Sequence, residues 1–314
     1  MQVEEELVEL SPKKDTLLTI GVFDGVHLGH KYLISQLTEN ARRQNLLSGV
    51  VTFCQHPQEV LSPQTRLPFL TSLAKRTSLL QNEGVNAIIP LSFTGELAQL
   101  SASQFLSLLK KYLRMRGLII GPDFALGRNR EGNIDTLCSL GQDMNFSVTV
   151  IPPVMINGEV VSSTAIRNAL ADGDMKRVIK LTGRPFSLNG RVASGAGRGS
   201  KLGFPTANLD IDPQQALPAE GVYANWTDID DKAYRSMTNI GRRPTFPGSE
   251  RTVEVLVLDY HNDLYGRELK IDIIERLRSE KQFDTTEELK KQIAEDVKQG
   301  RVILNSRGME AKNE

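Results

Sequence analysis

Hydrophobic and polar positions follow two different patterns along the chain. In the first 180 residues, apolar runs of strand length alternate with stretches of helical period. Residues 16–23 (TLLTIGVF), 47–53 (LSGVVTF), 85–91 (VNAIIPL), 117–121 (GLIIG) and 146–154 (FSVTVIPPV) read as buried strands. Residues 30–45, 102–113 (ASQFLSLLKKYL) and 163–174 (STAIRNALADGD) carry apolar residues at the three-to-four spacing of amphipathic helices. Strands alternating with helices predict an α/β unit, a parallel sheet covered by helices. After residue 181 the strands crowd together. Segments 187–194, 203–211, 221–229, 232–241, 251–260 and 268–277 are mostly joined by connections too short for crossover helices. This half predicts an antiparallel β-barrel or sandwich. A helix from about residue 285 to 304 follows it. The change of pattern divides the chain into domains 1–182 and 183–314, and no internal repeat is visible.

Composition and charge narrow the function classes. The 314 residues suffice for two domains of ordinary size, and 39% hydrophobic with 24% charged residues is a globular balance. Basic and acidic residues number 38 each, and the balance is local: 18 against 17 through Lys180, 20 against 21 after it. Nucleic-acid binders usually carry an excess of Lys and Arg to displace counterions, so no nucleic-acid partner is expected. The start, MQVEEELVEL, lacks the features of a signal peptide, and no apolar run approaches the roughly 18 residues that span a bilayer. A cytoplasmic location and no membrane partner are therefore expected. Cys54 and Cys138 show no CxxC spacing, so neither a disulfide scaffold nor a zinc knuckle is suggested. The oligomeric state is not legible.

Candidate chemistry concentrates first in GVFDGVHLGH, residues 21–30. His27 and His30 sit among Gly21, Gly25 and Gly29 where the first predicted strand ends. A metal site would need further ligands at matching spacing, and His56 and His261 stand alone. A nucleophile would need a neighbouring base and an orienting group, and none is evident. A glycine-rich turn whose histidines merely cap a helix remains open. A phosphate site uses every residue of the stretch: the turn lets backbone N–H groups approach an anion, and the following helix presents its positive end. The two imidazoles, three residues apart, can donate to one triphosphate.

A second concentration is GAGRGSKLGFPTAN, residues 195–208. Its glycines do not fit the dinucleotide-binding spacing, and Lys201 is followed by Leu202, so it is no Walker-type phosphate loop. It reads as a solvent loop or as a flap over phosphates. Thr206 and Asn208 face the same way on an extended strand and offer hard oxygen ligands suited to Mg²⁺. Glu254 places one carboxylate in a row with Leu256 and Leu258, so it is either a buried ion-pair partner or a general base. Glu268 is a weaker competitor, flanked by Arg267 and Lys270.

His27-Leu28-Gly29-His30 resembles the HxGH motif of nucleotidylyltransferases, and GVFDGV resembles their FAD-forming branch. Ser162-Ser163-Thr164-Ala165-Ile166-Arg167 resembles that branch's second motif. GRGSKLGFPTAN, LPAEGVYA, NIGRRPTF, VEVLVLD and DLYGRELKI together resemble the riboflavin kinase barrel. In this order the two halves resemble the bifunctional bacterial riboflavin kinase/FAD synthetase family over nearly the whole chain. The resemblance implies a Rossmann-like nucleotidylyltransferase domain followed by a flavokinase-type antiparallel barrel with a C-terminal helix. It implies small-molecule substrates and products, riboflavin, FMN, FAD and ATP, with Mg²⁺. It makes Glu254 the catalytic base of the kinase, with Thr206 and Asn208 on the metal. His27, His30 and Arg167 then stabilise transferred and leaving phosphates. Gly21, Phe23, Gly25, Gly29, Ser162, Ser163 and Thr164 line one nucleotide site; Gly197, Gly199 and Lys201 cover the other. Arg278 and Phe283 become neighbours of the flavin ring, and Asp123 and Phe124 of GPDFALG lie near the adenylylation pocket. The family's T-F-acidic-P-H-P is here TFCQHP, with Cys54 and Gln55 in place of the acidic residue and the first proline. Leu256 stands where the family's VEVHL has His. The TFCQHP departure leaves open a riboflavin kinase whose first domain is inactive or altered.

Overall fold

The computed structural model describes residues 1–62, 64, 67–193, 199, 203–242 and 251–306. It divides into two compact units, Met1–Ser163 and Thr164–Glu314. Helix α8, which begins at Ser163, therefore falls almost wholly in the second unit, earlier than the change of strand pattern at residue 181.

The first unit runs α1 (Gln2–Glu9), β1 (Thr16–Ile20), α2 (Leu28–Arg43), β2 (Leu47–Phe53), α3 (Pro57–Leu61), α4 (Leu73–Asn82), β3 (Ala87–Leu91), α5 (Gly95–Gln99), α6 (Ala102–Leu113), β4 (Met115–Ile120), α7 (Ile134–Met144), β5 (Ser147–Val150) and the small hairpin β6 (Met155–Ile156) and β7 (Glu159–Val160). Strands β1 to β5 form a parallel sheet in the order β3-β2-β1-β4-β5, as the alternation of strands and helices predicts. All five residues of β1 are buried, as befits a central strand covered on both faces. One apolar layer holds Leu18, Ile20, Val51, Ile89, Leu106 and Leu118, and the other holds Leu17, Ile34, Leu37, Val50, Leu80 and Ile119. Consecutive strand residues thus feed opposite layers.

Several elements differ from the sequence expectation. The expected strand 146–154 stops at Val150, before Pro152 and Pro153, which have no N–H to continue a ladder. Helix α2 starts at Leu28 rather than His30, because the His27 imidazole accepts the His30 N–H and caps it. Helices α1, α3, α4, α5 and α7 are not expected from the sequence pattern. Among them α4 and α7 are capped by side chains, Ser72 accepting from Lys75 N and Asn133 from Thr136 N.

In the second unit, α8 (Ser163–Asp172) and α9 (Met175–Thr182) precede β8 (Phe186–Ala193), β9 (Ala207–Ile211), β10 (Gly221–Ile229), β11 (Lys232–Arg242), β12 (Arg251–Val257) and β13 (Glu268–Arg278), and α10 (Thr286–Ser306) ends the described chain. The six strands close into a barrel in the order β10-β11-β12-β9-β8-β13, every pair antiparallel. Alternation along β8 buries Phe186, Leu188, Gly190 and Val192. Helix α10 packs on apolar residues including Ala224, Met237, Leu256 and Ile274. Leu256, where the family has histidine, thus joins this apolar layer. Gly300 of α10 permits the close approach, since a Cβ there would collide with the end of the Met237 side chain.

One ion pair ties α10 to the barrel. Arg278 Nε donates to both Asp296 oxygens at 3.0 Å and Nη2 to Oδ2 at 2.8 Å, with Asp296 only 4% exposed. Removing the carboxylate strands a largely buried guanidinium, which typically costs about 3 kcal/mol. Asp296→Ala is expected to lower the barrel's stability by that order. Urea unfolding followed through Trp226, the chain's one tryptophan, checks it.

Candidate functional sites

Strand β1 lies between β2 and β4, where the strand order reverses. In open parallel sheets ligands bind outside the carboxyl ends of the strands at such a point. The turn 21–27 leaves β1 there. Gly25 has φ 81°, and Phe23 and Val26 also adopt positive φ, 52° and 34°. Such conformations cost on the order of 1–3 kcal/mol each in non-glycine residues and persist only where the surroundings enforce them.

The enforcing contacts converge on Asp24, which is 4% exposed. Its carboxylate accepts from Leu70 N at 2.9 Å, from Thr71 N at 3.0 Å and from the Thr71 hydroxyl at 3.2 Å. Gly25 N donates in turn to Thr71 Oγ1 at 3.0 Å. Beneath the turn, the Thr52 hydroxyl and buried Arg76 both donate to the Val22 carbonyl. Burial holds the Arg76 guanidinium below its usual range, against the opposing pull of Asp24.

The two histidines meet as the spacing predicts. Their rings stack at 3.6 Å with a 16° interplanar angle, and Phe23 packs edge-on to His30 at 5.0 Å. His27 Nδ1 accepts from His30 N at 3.2 Å, so in the neutral ring Nε2 carries the donor hydrogen. Gly29 is closely enclosed: a Cβ would lie 3.1 Å from the His27 ring and from the Val161 carbonyl. A Cβ on Gly21 would meet the Phe23 ring at 3.1 Å. The second motif reaches this turn through Ser163, whose hydroxyl donates to the Asp24 carbonyl at 2.8 Å. Ser162 directly precedes α8; Thr164 is its second residue and Arg167 lies one turn in.

The loop after β4 borders the same switch point. Asp123 is exposed and its carbonyl accepts from Arg130, while Phe124 packs against the sheet's apolar layer. On the β2 side, Cys54 N donates to Leu91 O and the Gln55 amide to Phe93 O, both at 2.9 Å. His56 caps α3 by accepting from Gln58 N. Gln55 thus ties β2 to the segment after β3 by a side-chain hydrogen bond.

In the barrel, β12 brings Glu254 directly opposite Asn208 of β9 and Asn239 of β11. Opposed residues of antiparallel strands share a face, so the three polar side chains form a row across three strands. Thr206 Oγ1 lies 3.5 Å from Glu254 Oε2. Gly199 lies against this corner, since a Cβ on it would come within 3.0 Å of Thr206 Oγ1. Gly197 and Lys201 lie outside the described residues. Among the described residues no cluster of three or more His, Cys, Asp or Glu is placed to hold a metal. Thr206, Asn208 and Glu254 offer neutral oxygens and one carboxylate, which fits a hard cation that also binds substrate phosphates. Arg278 is held by Asp296, with its guanidinium carbon 5.8 Å from the Phe283 ring centre.

Sequence reasoning did not single out the roles of Asp24, Thr71, Arg76 or Asn239. Thr71 and Arg76 are 46 and 54 residues from their partners, and no periodicity links such positions.

Family models match on both units: one described as FAD synthetase over residues 10–165, and one described as riboflavin kinase over residues 182–304. A bifunctional riboflavin kinase/FMN adenylyltransferase from Escherichia coli K12 is 38% identical over 288 residues, 91% of this chain and 92% of that protein. One from Pseudomonas fluorescens is 37% identical, over 96% of this chain and 98% of its own length. A solved structure from Streptococcus pneumoniae described as a macrolide-efflux protein superposes with a TM-score of 0.88 at 30% identity, covering 96% of this chain and 97% of that one. Among the described residues here, no helix is long and apolar enough to cross a membrane.

Although Cys54 is exposed by surface area, partial desolvation, with Glu6 adding to it, pushes its thiol above its ordinary range. A raised value means less thiolate at a given pH. Cys54 alkylation by iodoacetamide, followed by peptide mass spectrometry, is expected to keep accelerating above pH 9. A plateau near pH 8 would contradict this.

Proposed function

The chain belongs to the family of bifunctional riboflavin kinase/FMN adenylyltransferases, and from that membership we propose how its residues divide the work. Both domains are present, so the enzyme is a kinase that phosphorylates riboflavin to FMN and a nucleotidyltransferase that converts FMN to FAD. The comparisons give no support to a kinase with an inactive first domain.

In the kinase half, Glu254 accepts the proton of the riboflavin 5′-hydroxyl as that oxygen attacks the γ-phosphorus of ATP and ADP departs. Thr206 and Asn208 would hold a magnesium ion, which would supply neutralisation of charge on the phosphate oxygens. Gly197, Gly199 and Lys201 are assigned to nucleotide binding on the family resemblance, and Arg278 and Phe283 to the flavin ring. The observation that carries this assignment is the approach of Thr206 to Glu254, 48 residues apart in sequence.

In the adenylyltransferase half, an FMN phosphate oxygen attacks the α-phosphorus of ATP and pyrophosphate leaves. The attacking oxygen is already anionic, so no general base is needed, and positioning and charge stabilisation carry the reaction. His27 donates through Nε2–H, and His30 stacks beside it toward the same phosphates. Gly21, Phe23, Gly25 and Gly29 shape the turn whose backbone approaches the triphosphate. Ser162, Ser163 and Thr164 are assigned to nucleotide binding through the second motif, and its Arg167 to charge on the leaving pyrophosphate. Asp123 and Phe124 border the FMN. The Ser163 bond to Asp24 supports this reading, because it joins the two motifs in space.

Two variants separate the sites. His27→Ala is expected to slow FAD formation about 10²–10³-fold with FMN formation unchanged. Glu254→Gln is expected to slow FMN formation about 10²–10⁴-fold while still converting supplied FMN to FAD. Chromatography of the flavins over time checks both, and an equal mixture of the variants should restore FAD synthesis from riboflavin. Loss of both activities in either variant would contradict the division.

A further inference from the structure

Glu254 has two polar neighbours in its row, and only one of them, Asn208, has been given work. The other is Asn239, opposite Glu254 on β11. Its Oδ1 is buried and accepts no hydrogen bond among the described residues. A buried carbonyl without a donor is costly, typically 1–3 kcal/mol, and such groups in native structures call for a partner. Met237, two positions earlier on the same face, is covered by α10, whereas the Asn239 row is half-open. The polar row therefore begins where the helix cover ends.

Thr206 and Asn208 occupy the β9 side of Glu254, so the phosphate and its metal belong to that flank. The alcohol approaches from the other flank, and the group Asn239 Oδ1 lacks is a donor. We infer that Asn239 binds the polyhydroxyl side chain of riboflavin, accepting a hydrogen bond from a hydroxyl near the one that Glu254 deprotonates. This rests on the kinase assignment and adds to it a residue that reads the sugar-alcohol chain rather than the flavin ring. The adjacent Gly241 leaves room on this face for the Glu280 carboxylate, with which a Cβ would collide.

The test compares Asn239→Leu with the unmodified full-length enzyme in the kinase reaction, using lumiflavin, which keeps the ring system but has no hydroxyl chain, as competitive inhibitor. The expected result is a riboflavin KM raised about tenfold, the worth of one good hydrogen bond, with the ATP KM and the lumiflavin inhibition constant unchanged. Asn239→Asp keeps the acceptor and is expected to retain most of the riboflavin affinity. A raised ATP or magnesium requirement with unchanged riboflavin KM would place Asn239 on the metal flank and overturn the inference. So would a lumiflavin constant that moves together with the riboflavin KM, or a lowered Trp226 unfolding midpoint, since either marks a structural role. If the unmodified enzyme forms no FMN, the kinase assignment itself fails, a result distinguishable from all of these.

Discussion

The hydrogen bonds converging on Asp24 are the constraint on which the nucleotidyltransferase half depends. A turn with Phe23 and Val26 at positive φ is not a conformation the chain would hold unaided. Asp24 fastens it to Leu70 and Thr71 through the side chain and to Ser163 through the main chain. One buried aspartate, through its carboxylate and its main-chain carbonyl, thus joins segments 46 and 139 residues away. Its consequence is preorganisation: His27 is fixed as a helix cap with a defined tautomer, and His30 is stacked on it before any substrate arrives.

The barrel meets a different problem, keeping one carboxylate usable beside an apolar surface. Alternation along β12 sends Val253, Val255 and Val257 to one face, and Glu254 and Leu256 to the other. Leu256 is then sealed beneath α10, while Glu254 lies one step beyond the cover, between two asparagines. The same helix is anchored by Asp296 on Arg278, and its Gly300 lets Met237 approach closely. Packing of the last helix therefore decides how much of the outer face is core and how much is site.

The architecture was legible because periodicity reports it. Apolar runs such as LSGVVTF matched β2 in full, and the change of pattern near residue 181 marked the passage from parallel sheet to barrel. The paired histidines were legible because they sit on one local motif whose spacing fixes their direction, whereas Thr206 and Glu254, 48 residues apart, were singled out together through the resemblance to the riboflavin kinase barrel. Asp24, Thr71 and Arg76 were not, since their partnership comes from long-range packing that leaves no spacing in the sequence. Strand 146–154 was overextended because its apolar residues run on past Val150 into a proline pair. Asn239 escaped notice for another reason: its significance lies in strand register, which a single strand cannot reveal.

The account's central claim is that one chain performs two chemically distinct attacks on ATP, at the γ-phosphorus in the barrel and at the α-phosphorus beside the stacked histidines. The most direct measurement follows the fate of ATP labelled separately at each phosphorus during incubation with riboflavin and magnesium. The account predicts γ-label in FMN and then in FAD, and α-label in FAD alone with unlabelled pyrophosphate released from it. Absence of α-label from every flavin, or its appearance in FMN, would contradict the account.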